Sequence, residues 1–115
     1  MTTIRSRNLL LLLFLFGAGV LSGTAQSTLG SVSGRVEDTT RAALPAATIR
    51  LHRIETNSDR TLLSAADGSF NALNVDPGTY DIAVSLAGFA TDIERGVVVD
   101  ARQQLRLDLT LRPGP

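Results

Sequence analysis

Few side chains in this sequence could carry chemistry, and they are scattered. His52 is the only histidine, and there is no cysteine. A serine nucleophile needs a histidine within hydrogen-bond reach and an oxyanion hole, and no serine lies in a nucleophile-elbow pattern. The serines concerned are Ser33, Ser64, Ser69 and Ser85. Because the alternation around His52 turns it away from the apolar Ile49 and Leu51, we expect a surface histidine and predict no catalytic residue and no enzyme.

Metal and cofactor sites are not indicated either. One histidine without cysteine does not supply the ligands of a zinc site. Calcium binds carboxylate oxygens, and the adjacent Glu37 and Asp38 are the best local pair, but the sequence has no D-x-D-x-D-G loop. No glycine-rich phosphate-binding loop is present. We therefore predict no metal and no cofactor, and we interpret the acidic loop residues as turn formers and solubilising charges.

The first 25 residues have the three-part pattern of a secretory signal peptide. Arg5 and Arg7 precede an apolar run over residues 9–21, and Gly23 and Ala25 are small residues at the −3 and −1 positions of a cut after Ala25. A membrane-spanning helix needs about 20 apolar residues, so an uncleaved anchor is the weaker alternative. We predict export across a membrane and cleavage after Ala25.

Removing this segment changes the composition of the part that folds. The 11 basic residues are all arginine, and two of them leave with the signal peptide, so the remaining chain is slightly acidic. We therefore expect no nucleic-acid partner, because such binding relies on basic side chains. Without cysteine or lysine, neither a disulfide nor a Lys–Asn isopeptide bond can stabilise the exported chain. We predict a short linker over residues 26–30, one domain over residues 31–112, and no stable membrane span after cleavage.

Apolar and polar residues alternate with a period of two from about residue 31 onward. The pattern is clearest near the end, where Leu105, Leu107, Leu109 and Leu111 alternate with polar residues. Neighbouring side chains on a strand point to opposite faces, so this pattern predicts strands with one buried face. The predicted strands are residues 31–37, 47–53, 60–65, 69–75, 80–86, 90–99 and 103–112. Their number and spacing predict an all-β fold, a seven-stranded antiparallel β-sandwich of Greek-key type.

The segments between these strands contain turn residues. Asp67–Gly68 predicts a turn with glycine at positive φ, and Asp76–Pro77–Gly78 predicts a type II turn. Pro45 suits the start of the second strand, where no ladder hydrogen bond is lost. Residues 57–59 are polar and are expected at a loop tip. Gly96 lies inside the sixth predicted strand and indicates a bend or a β-bulge there.

Three groups of residues follow one another in a characteristic order. The first is Gly34–Arg35–Val36–Glu37–Asp38, followed by Leu44–Pro45–Ala46–Ala47–Thr48–Ile49. The second is Asp67–Gly68–Ser69–Phe70, and the third is Pro77–Gly78–Thr79–Tyr80 followed by Gly88–Phe89. Together they resemble the carboxypeptidase regulatory-like domains over about residues 30–112. These domains are transthyretin-like (prealbumin-like) β-sandwiches, often grouped with carbohydrate-binding-like folds, and the resemblance implies that fold here.

The resemblance implies structural roles for the matched residues. Gly68, Pro77 and Gly78 would shape turns, whereas Phe70, Tyr80 and Phe89 would lie in the core. The remaining motif residues are Gly34, Val36, Asp38, Pro45, Asp67 and Gly88. Arg41 and Ala46 stand where the family commonly has glycine, so the first loop is expected to follow a different backbone path.

We therefore expect a non-catalytic structural or protein-interaction module of the cell envelope, in the periplasm, at the cell surface or outside the cell. Its partner would be an unidentified protein or an attached envelope protein, and strand addition at an exposed sheet edge is one route. In bacteria, such modules commonly precede TonB-dependent outer-membrane receptors, so a fragment of a receptor system is one alternative. A carbohydrate-binding module is the other, but no tryptophan is available and the three remaining aromatic residues are expected in the core.

Overall fold

The computed structural model of the protein describes residues 27–115. The predicted signal peptide and its cleavage site at Ala25 lie outside these residues. Within them the chain forms eight strands and no helix, so the fold is all-β. The strands are β1 (Gly30–Asp38), β2 (Thr48–Arg53), β3 (Ser58–Leu63), β4 (Ser69–Val75), β5 (Gly78–Ser85), β6 (Asp92–Val99), β7 (Gln104–Arg106) and β8 (Leu109–Leu111).

The strands form two four-stranded sheets that pack face to face. In the first sheet β1 is central, with β4 on one side and β7 and β8 on the other. The second sheet has the order β3-β2-β5-β6. Neighbouring strands are antiparallel apart from β7 and β8, which run parallel to β1. The predicted β-sandwich is confirmed.

The core lies between the sheets and is built by the alternation seen in the sequence. On β2, Ile49 and Leu51 are buried while Arg50 between them is exposed. Full burial of one aliphatic side chain of this size stabilises the fold by about 1.5–3 kcal/mol, which outweighs the helix propensity of a single leucine. The buried apolar residues are Val32, Val36, Leu44, Ala47, Ile49, Leu51, Phe70, Ala72, Val75, Tyr80, Ile82, Val84, Val99, Leu109 and Leu111.

The last predicted strand is interrupted, and the expectation of seven strands is corrected to eight. Gly34 on β1 lies at the interruption, where a Cβ would be 1.9 Å from the carbonyl oxygen of Leu107. One residue further on, Asp108 accepts a hydrogen bond from the main-chain nitrogen of Arg35 through Oδ1, at 3.1 Å. In the segment between β7 and β8, the Asp108 side chain therefore takes the place of a backbone hydrogen bond to β1. The alternation of leucines survives because the break leaves them all facing inward.

Two strands contain bulges that the register reveals. Arg95 and Gly96 of β6 lie opposite the single residue Asp81, and Gly96 has φ of 67°. The bulge predicted at Gly96 is thus present. Leu73 and Asn74 of β4 likewise lie opposite one residue of β1, and Asn74 has φ of 56°. Asparagine tolerates this left-handed conformation better than most residues.

Three predictions about turns have different outcomes. Gly68 adopts the expected positive φ, 79°, between β3 and β4. The type II turn at Pro77–Gly78 is wrong, because Gly78 is the first residue of β5 and has no positive φ. The predicted loop tip over residues 57–59 is also wrong in part, because β3 begins at Ser58. Pairing with β2 extends this strand further than its polar composition suggests.

Candidate interaction surface

The polar motif residues predicted from the sequence are Asp38, at the end of β1, and Asp67, in the turn before β4, and each accepts hydrogen bonds from residues that follow it. Oδ1 of Asp38 accepts hydrogen bonds from Thr40 Oγ1 at 2.6 Å and from the Ala42 nitrogen at 3.0 Å. Oδ1 of Asp67 accepts from Ser69 Oγ at 2.6 Å. These hydroxyl contacts are the largest cause that lowers the pKa of each aspartate. Both carboxylates are therefore occupied in closing turns around the sandwich.

The apolar motif residues lie in or against the core. Val36 is fully buried, and Phe70 and Tyr80 are only 5% and 6% exposed. Phe89 is half-buried, packs against the core and forms a bridge with Pro113. Of the three aromatic side chains in residues 27–115, two are therefore buried and the third is half-buried, whereas a sugar-stacking platform requires an exposed ring face.

The remaining motif residues support the backbone. Pro45 is exposed in the turn before β2, and Gly88 has φ of 87° with its oxygen accepting from the Gly114 nitrogen at 3.0 Å. Arg41 and Ala46 have φ of 68° and 58°. Both residues therefore adopt the left-handed conformation that glycine accommodates without strain, and a different backbone path for the first loop stays a prediction. The motif residues are distributed over the fold and form no single site.

Strand β3 is the most open edge of the sandwich. Its pairing with β2 runs from Thr48 opposite Leu63 to Arg53 opposite Ser58 without a register shift. Five of its six residues are exposed, and only Leu62 is partly buried. Its other side faces solvent beside β4, which belongs to the other sheet. An edge of this kind can pair with an added strand.

One hydrogen bond fixes the direction in which the main-chain groups of β2 and β3 point. The Ile54 nitrogen donates to the oxygen of Thr79 on β5 at 2.9 Å, so the main-chain groups of Ile54 point away from β3. Main-chain groups alternate between the two sides of a strand, so Arg53 and the residues two and four positions before it bond towards β3. Their partners in the register are Ser58, Arg60 and Leu62. The main-chain groups on the outer side of β3 therefore belong to Asp59, Thr61 and Leu63.

A polar cleft of about 210 Å³ opens between β3 and the ends of β4 and β5. The side chain of Arg60 crosses it, and its Nη1 donates to the main-chain oxygens of Leu73 and of Asn74, the latter at 3.3 Å. These oxygens belong to the β4 bulge, where the pairing with β1 is interrupted. The cleft is lined by Leu51, Arg53, Ser58, Asp59, Arg60, Asn74, Val75, Asp76 and Tyr80.

A second arginine and a tyrosine complete the cleft. Arg53 donates from Nη2 to the Pro77 oxygen at 2.6 Å, while its buried Nε has no hydrogen-bond partner and lies 4.0 Å from Glu55 Oε2. Gly78 leaves room for this guanidinium, since a Cβ at position 78 would lie 2.6 Å from Nε. Tyr80 donates its hydroxyl to the Asp76 oxygen at 2.6 Å, and burial is the main cause that raises its pKa.

The outer face of the second sheet is charged beside β3. Asp59 Oδ1 accepts from Arg50 Nε at 3.0 Å and lies 2.7 Å from His52 Nδ1. The hydrogen bond with His52 is the largest cause that lowers the pKa of Asp59. His52 thus lies on the sheet surface, as expected, with a structural partner. The same face exposes aliphatic side chains at Leu63 and Ile93.

The opposite side of the sandwich carries acidic side chains. Asp92, Glu94 and Asp108 line a broad depression beside β6 and β8. A hydrogen bond with Asp92 and the repulsion between the two carboxylates raise the pKa of Glu94. Within residues 27–115, no group of three or more histidine, cysteine or acidic side chains is placed to hold a metal ion. The described chain also contains no helix of the length and apolarity that crossing a membrane requires.

No sequence motif contains Arg60, Arg53 or Asn74. The alternation along the strand gives one weak indication, because it places the Arg60 side chain on the same inward-facing side as Leu62. A charged residue in an inward phase must reach a polar partner. That partner lies on β4, and the pairing order of strands in two sheets cannot be read from alternation.

Three solved structures show the fold that the chain resembles. A putative carbohydrate binding protein from Bacteroides uniformis ATCC 8492 is 19% identical with a TM-score of 0.62, and the match covers 76% of this chain and 43% of that one. A chain from a type II cohesin–X-dockerin complex of Acetivibrio cellulolyticus is 20% identical with a TM-score of 0.58, and the match covers 74% of this chain and 58% of that one. Catechol 1,2-dioxygenase from Pseudomonas arvilla C-1 is 14% identical with a TM-score of 0.60, and the match covers 81% of this chain and 55% of that one.

These likenesses concern the fold alone, because the identities are low and the chain spans only about half the length of the structures. No curated protein matches the sequence significantly. A model of the carboxypeptidase regulatory-like domain family matches residues 31–112, which include every motif residue from Gly34 to Phe89. That domain is a non-catalytic fold. The chain belongs to the carboxypeptidase regulatory-like domain family.

Proposed function

We propose that this chain is an exported, non-catalytic module of the cell envelope that binds an extended segment of a partner protein along β3. The observation that carries the proposal is the open edge of β3, where Asp59, Thr61 and Leu63 direct main-chain groups away from the sheet. An added strand gains its affinity from such groups without special side chains. Attachment to an outer-membrane receptor system would place the module beside such a partner.

The other sheet edges are less suited to an added strand. β6 is bent by the bulge at Gly96, and β4 has a bulge whose oxygens accept from Arg60. β7 and β8 are three residues each. Bulges and short edge strands are two of the protections against pairing, and β3 has neither, although it carries the charged Asp59 and Arg60. Its Asp59 is also paired with Arg50 and His52 on the same sheet.

The proposal is tested by following strand addition at β3 with an alternating apolar and polar heptapeptide as the probe. Hydrogen exchange should slow at the amides of Asp59, Thr61 and Leu63 when the peptide is added. Thr61→Pro should abolish this protection, because it removes an outward donor without removing a bond to β2. Thr61→Val is the matched control, since it keeps the amide and the branched shape. Protection elsewhere, or equal protection in Thr61→Pro, would contradict the proposed binding mode.

Export is tested separately. The exported form should have the mass of residues 26–115, and Ala25→Arg should leave the signal peptide attached, because signal peptidase requires a small residue there. Retention of the full-length chain inside the cell would contradict export but would not contradict strand addition at β3.

The carbohydrate alternative is less well supported. The aromatic side chains of residues 27–115 are Phe70, Tyr80 and Phe89, and all three are buried or packed against the core. Saturable binding of a saccharide on a glycan array would favour that alternative over a protein partner.

A further inference from the structure

We propose that the segment bound along β3 carries a carboxylate side chain opposite Arg60, and that Arg60 selects it. The inference rests on the strand addition proposed above and names the chemistry of the partner. It is carried by the hydrogen bonding of Arg60, by the charges around it and by the register that an added strand would adopt.

The guanidinium of Arg60 is held on one side and open on the other. Nη1 donates to the main-chain oxygens of Leu73 and Asn74, whereas Nε and Nη2 have no hydrogen-bond partner in residues 27–115. Nε and Nη2 together form one of the two forks through which arginine binds a carboxylate with two parallel hydrogen bonds. Because Nη1 is anchored, less side-chain entropy is lost when this fork is used.

The charge of Arg60 is not balanced by a carboxylate. No acidic group in the described part of the chain lies within 4.0 Å of its guanidinium, and its partners are neutral carbonyl oxygens. Asp59, which also lines the cleft, is occupied by Arg50 and His52. Arg53 has Glu55 at 4.0 Å. Asp76 lines the cleft as well and has no ion pair within 4.0 Å among residues 27–115, so the cleft as a whole is not cationic and the selection rests on the open fork of Arg60.

The register of an added strand would place that carboxylate beside Arg60. In an antiparallel pair, directly opposite residues have side chains on the same face, about 4.5–5.5 Å apart at Cβ. Arg60 and Leu62 are on the inward face of β3, and Asp59, Thr61 and Leu63 are on the outer face. The residue opposite Arg60 would therefore project towards the cleft. The residue opposite the exposed Leu63 would be apolar.

These positions define a probe peptide. Antiparallel to β3, it has an apolar residue opposite Leu63 and Leu62, a threonine opposite Thr61, a glutamate opposite Arg60 and a lysine opposite Asp59. The heptapeptide Thr-Val-Val-Thr-Glu-Lys-Thr, labelled with a fluorophore, meets this description. Its matched control has glutamine in place of glutamate, which keeps the shape and removes the charge.

Fluorescence anisotropy with the exported chain tests the inference. The glutamate peptide should bind roughly tenfold more tightly than the glutamine peptide, a difference of about 1.4 kcal/mol. Arg60→Gln should remove this preference, whereas Arg95→Gln, which changes an exposed arginine on β6, should keep it. Arg60→Lys keeps the charge without the fork and should recover only part of the preference. Added salt should weaken the glutamate peptide more than the glutamine peptide if an ion pair selects it, because the lysine opposite Asp59 is common to both.

Each outcome separates this inference from the proposed function. Equal affinity for the two peptides, with both lost in Thr61→Pro, would overturn selection by Arg60 and leave strand addition intact. Failure of both peptides to bind or to protect the β3 amides would overturn strand addition as well. A dimer of the chain that Thr61→Pro dissociates would show that a second copy occupies β3, and would overturn the acidic partner. If Arg60→Gln lowers the melting temperature, the affinities of Arg60→Lys for the two peptides and their salt dependence decide whether Arg60 selects the carboxylate.

Discussion

A Cβ atom on Gly34 would lie 1.9 Å from the carbonyl oxygen of Leu107. The two residues meet where the last part of the chain crosses the central strand β1, and Leu107 N donates to the neighbouring Ser33 oxygen at 2.7 Å. The break between β7 and β8 lies at this contact. Glycine is needed at position 34 for close approach of two backbones and not for a positive φ.

Gly34→Ala should therefore destabilise the fold by about 3 kcal/mol or more, because the methyl group would meet backbone atoms that cannot rotate away. Urea unfolding followed by circular dichroism measures the free energy of unfolding. Ser33→Ala, one residue away on the other face of β1, is the control and should change it by less than about 1 kcal/mol. Similar stability of the two variants would mean that β1 and Leu107 separate at little cost.

Replacing Arg41 or Ala46 with glycine should stabilise the protein. Both residues have positive φ, which costs an L-residue about 1–2 kcal/mol, whereas glycine adopts this conformation freely. Glycine also increases the entropy of the unfolded chain, so a net gain of about 0.5–1 kcal/mol per site is expected. Thermal unfolding measures it. Ala66→Gly, in an exposed turn without positive φ, is the control and should destabilise; equal effects at all three positions would contradict this reasoning.

Tyr80 should make the protein less stable at alkaline pH. Burial raises its pKa, so the folded chain retains the phenolic proton more tightly than the unfolded chain. The contribution of Tyr80 to the free energy of unfolding is therefore fully present below about pH 10 and is lost as the pH rises through the raised pKa. The sequence has one tyrosine and no lysine or cysteine, so few other groups titrate in this range.

Tyr80→Phe tests this pH dependence. The variant should lose about 1 kcal/mol at pH 7, because the hydrogen bond to the Asp76 oxygen is gone. Between pH 9 and 11 its stability should stay nearly constant while that of the parent falls. Urea titrations at each pH measure both. A parallel decline in the two proteins would assign the alkaline effect to another group.

Asp92→Asn should stabilise the protein at neutral pH. The hydrogen bond and repulsion between Asp92 and Glu94 raise the pKa of Glu94, so its contribution to stability is present at low pH and is lost as the pH rises through that pKa. Removing the neighbouring charge should raise the free energy of unfolding at pH 7 by up to about 1 kcal/mol. Denaturant unfolding at pH 3 and pH 7 tests this, since the gain should shrink at pH 3, which lies below the raised pKa of Glu94.

The strands were readable because alternation reports burial directly. Predicted residues 69–75 coincide with β4, five other strands differ by a few residues at their ends, and the last, over residues 103–112, is broken into β7 and β8. The turns were harder to predict. Pro77–Gly78 matches the residues of a type II turn, yet Gly78 is needed for the space that the Arg53 side chain fills. Arg41 and Ala46 are not turn residues by type, and the surrounding sandwich imposes their positive φ.

The candidate surface was less predictable than the fold. An exposed edge was expected, but alternation does not reveal which strand is central and which is at an edge. Arg60 was missed because its hydrogen-bond partner, Asn74, lies in the other sheet and 14 residues further along the chain.

By itself the sequence determined the class of fold, the family and the absence of tryptophan. These properties follow from local alternation, motif order and composition, which do not depend on how strands are paired. Only the tertiary structure decided that β3 is an open edge, that the last strand breaks at Leu107 and that Arg60 is anchored with one fork unused. The physical reason is that strand order and side-chain anchoring depend on contacts between segments that are distant in the sequence, and local alternation does not encode those contacts.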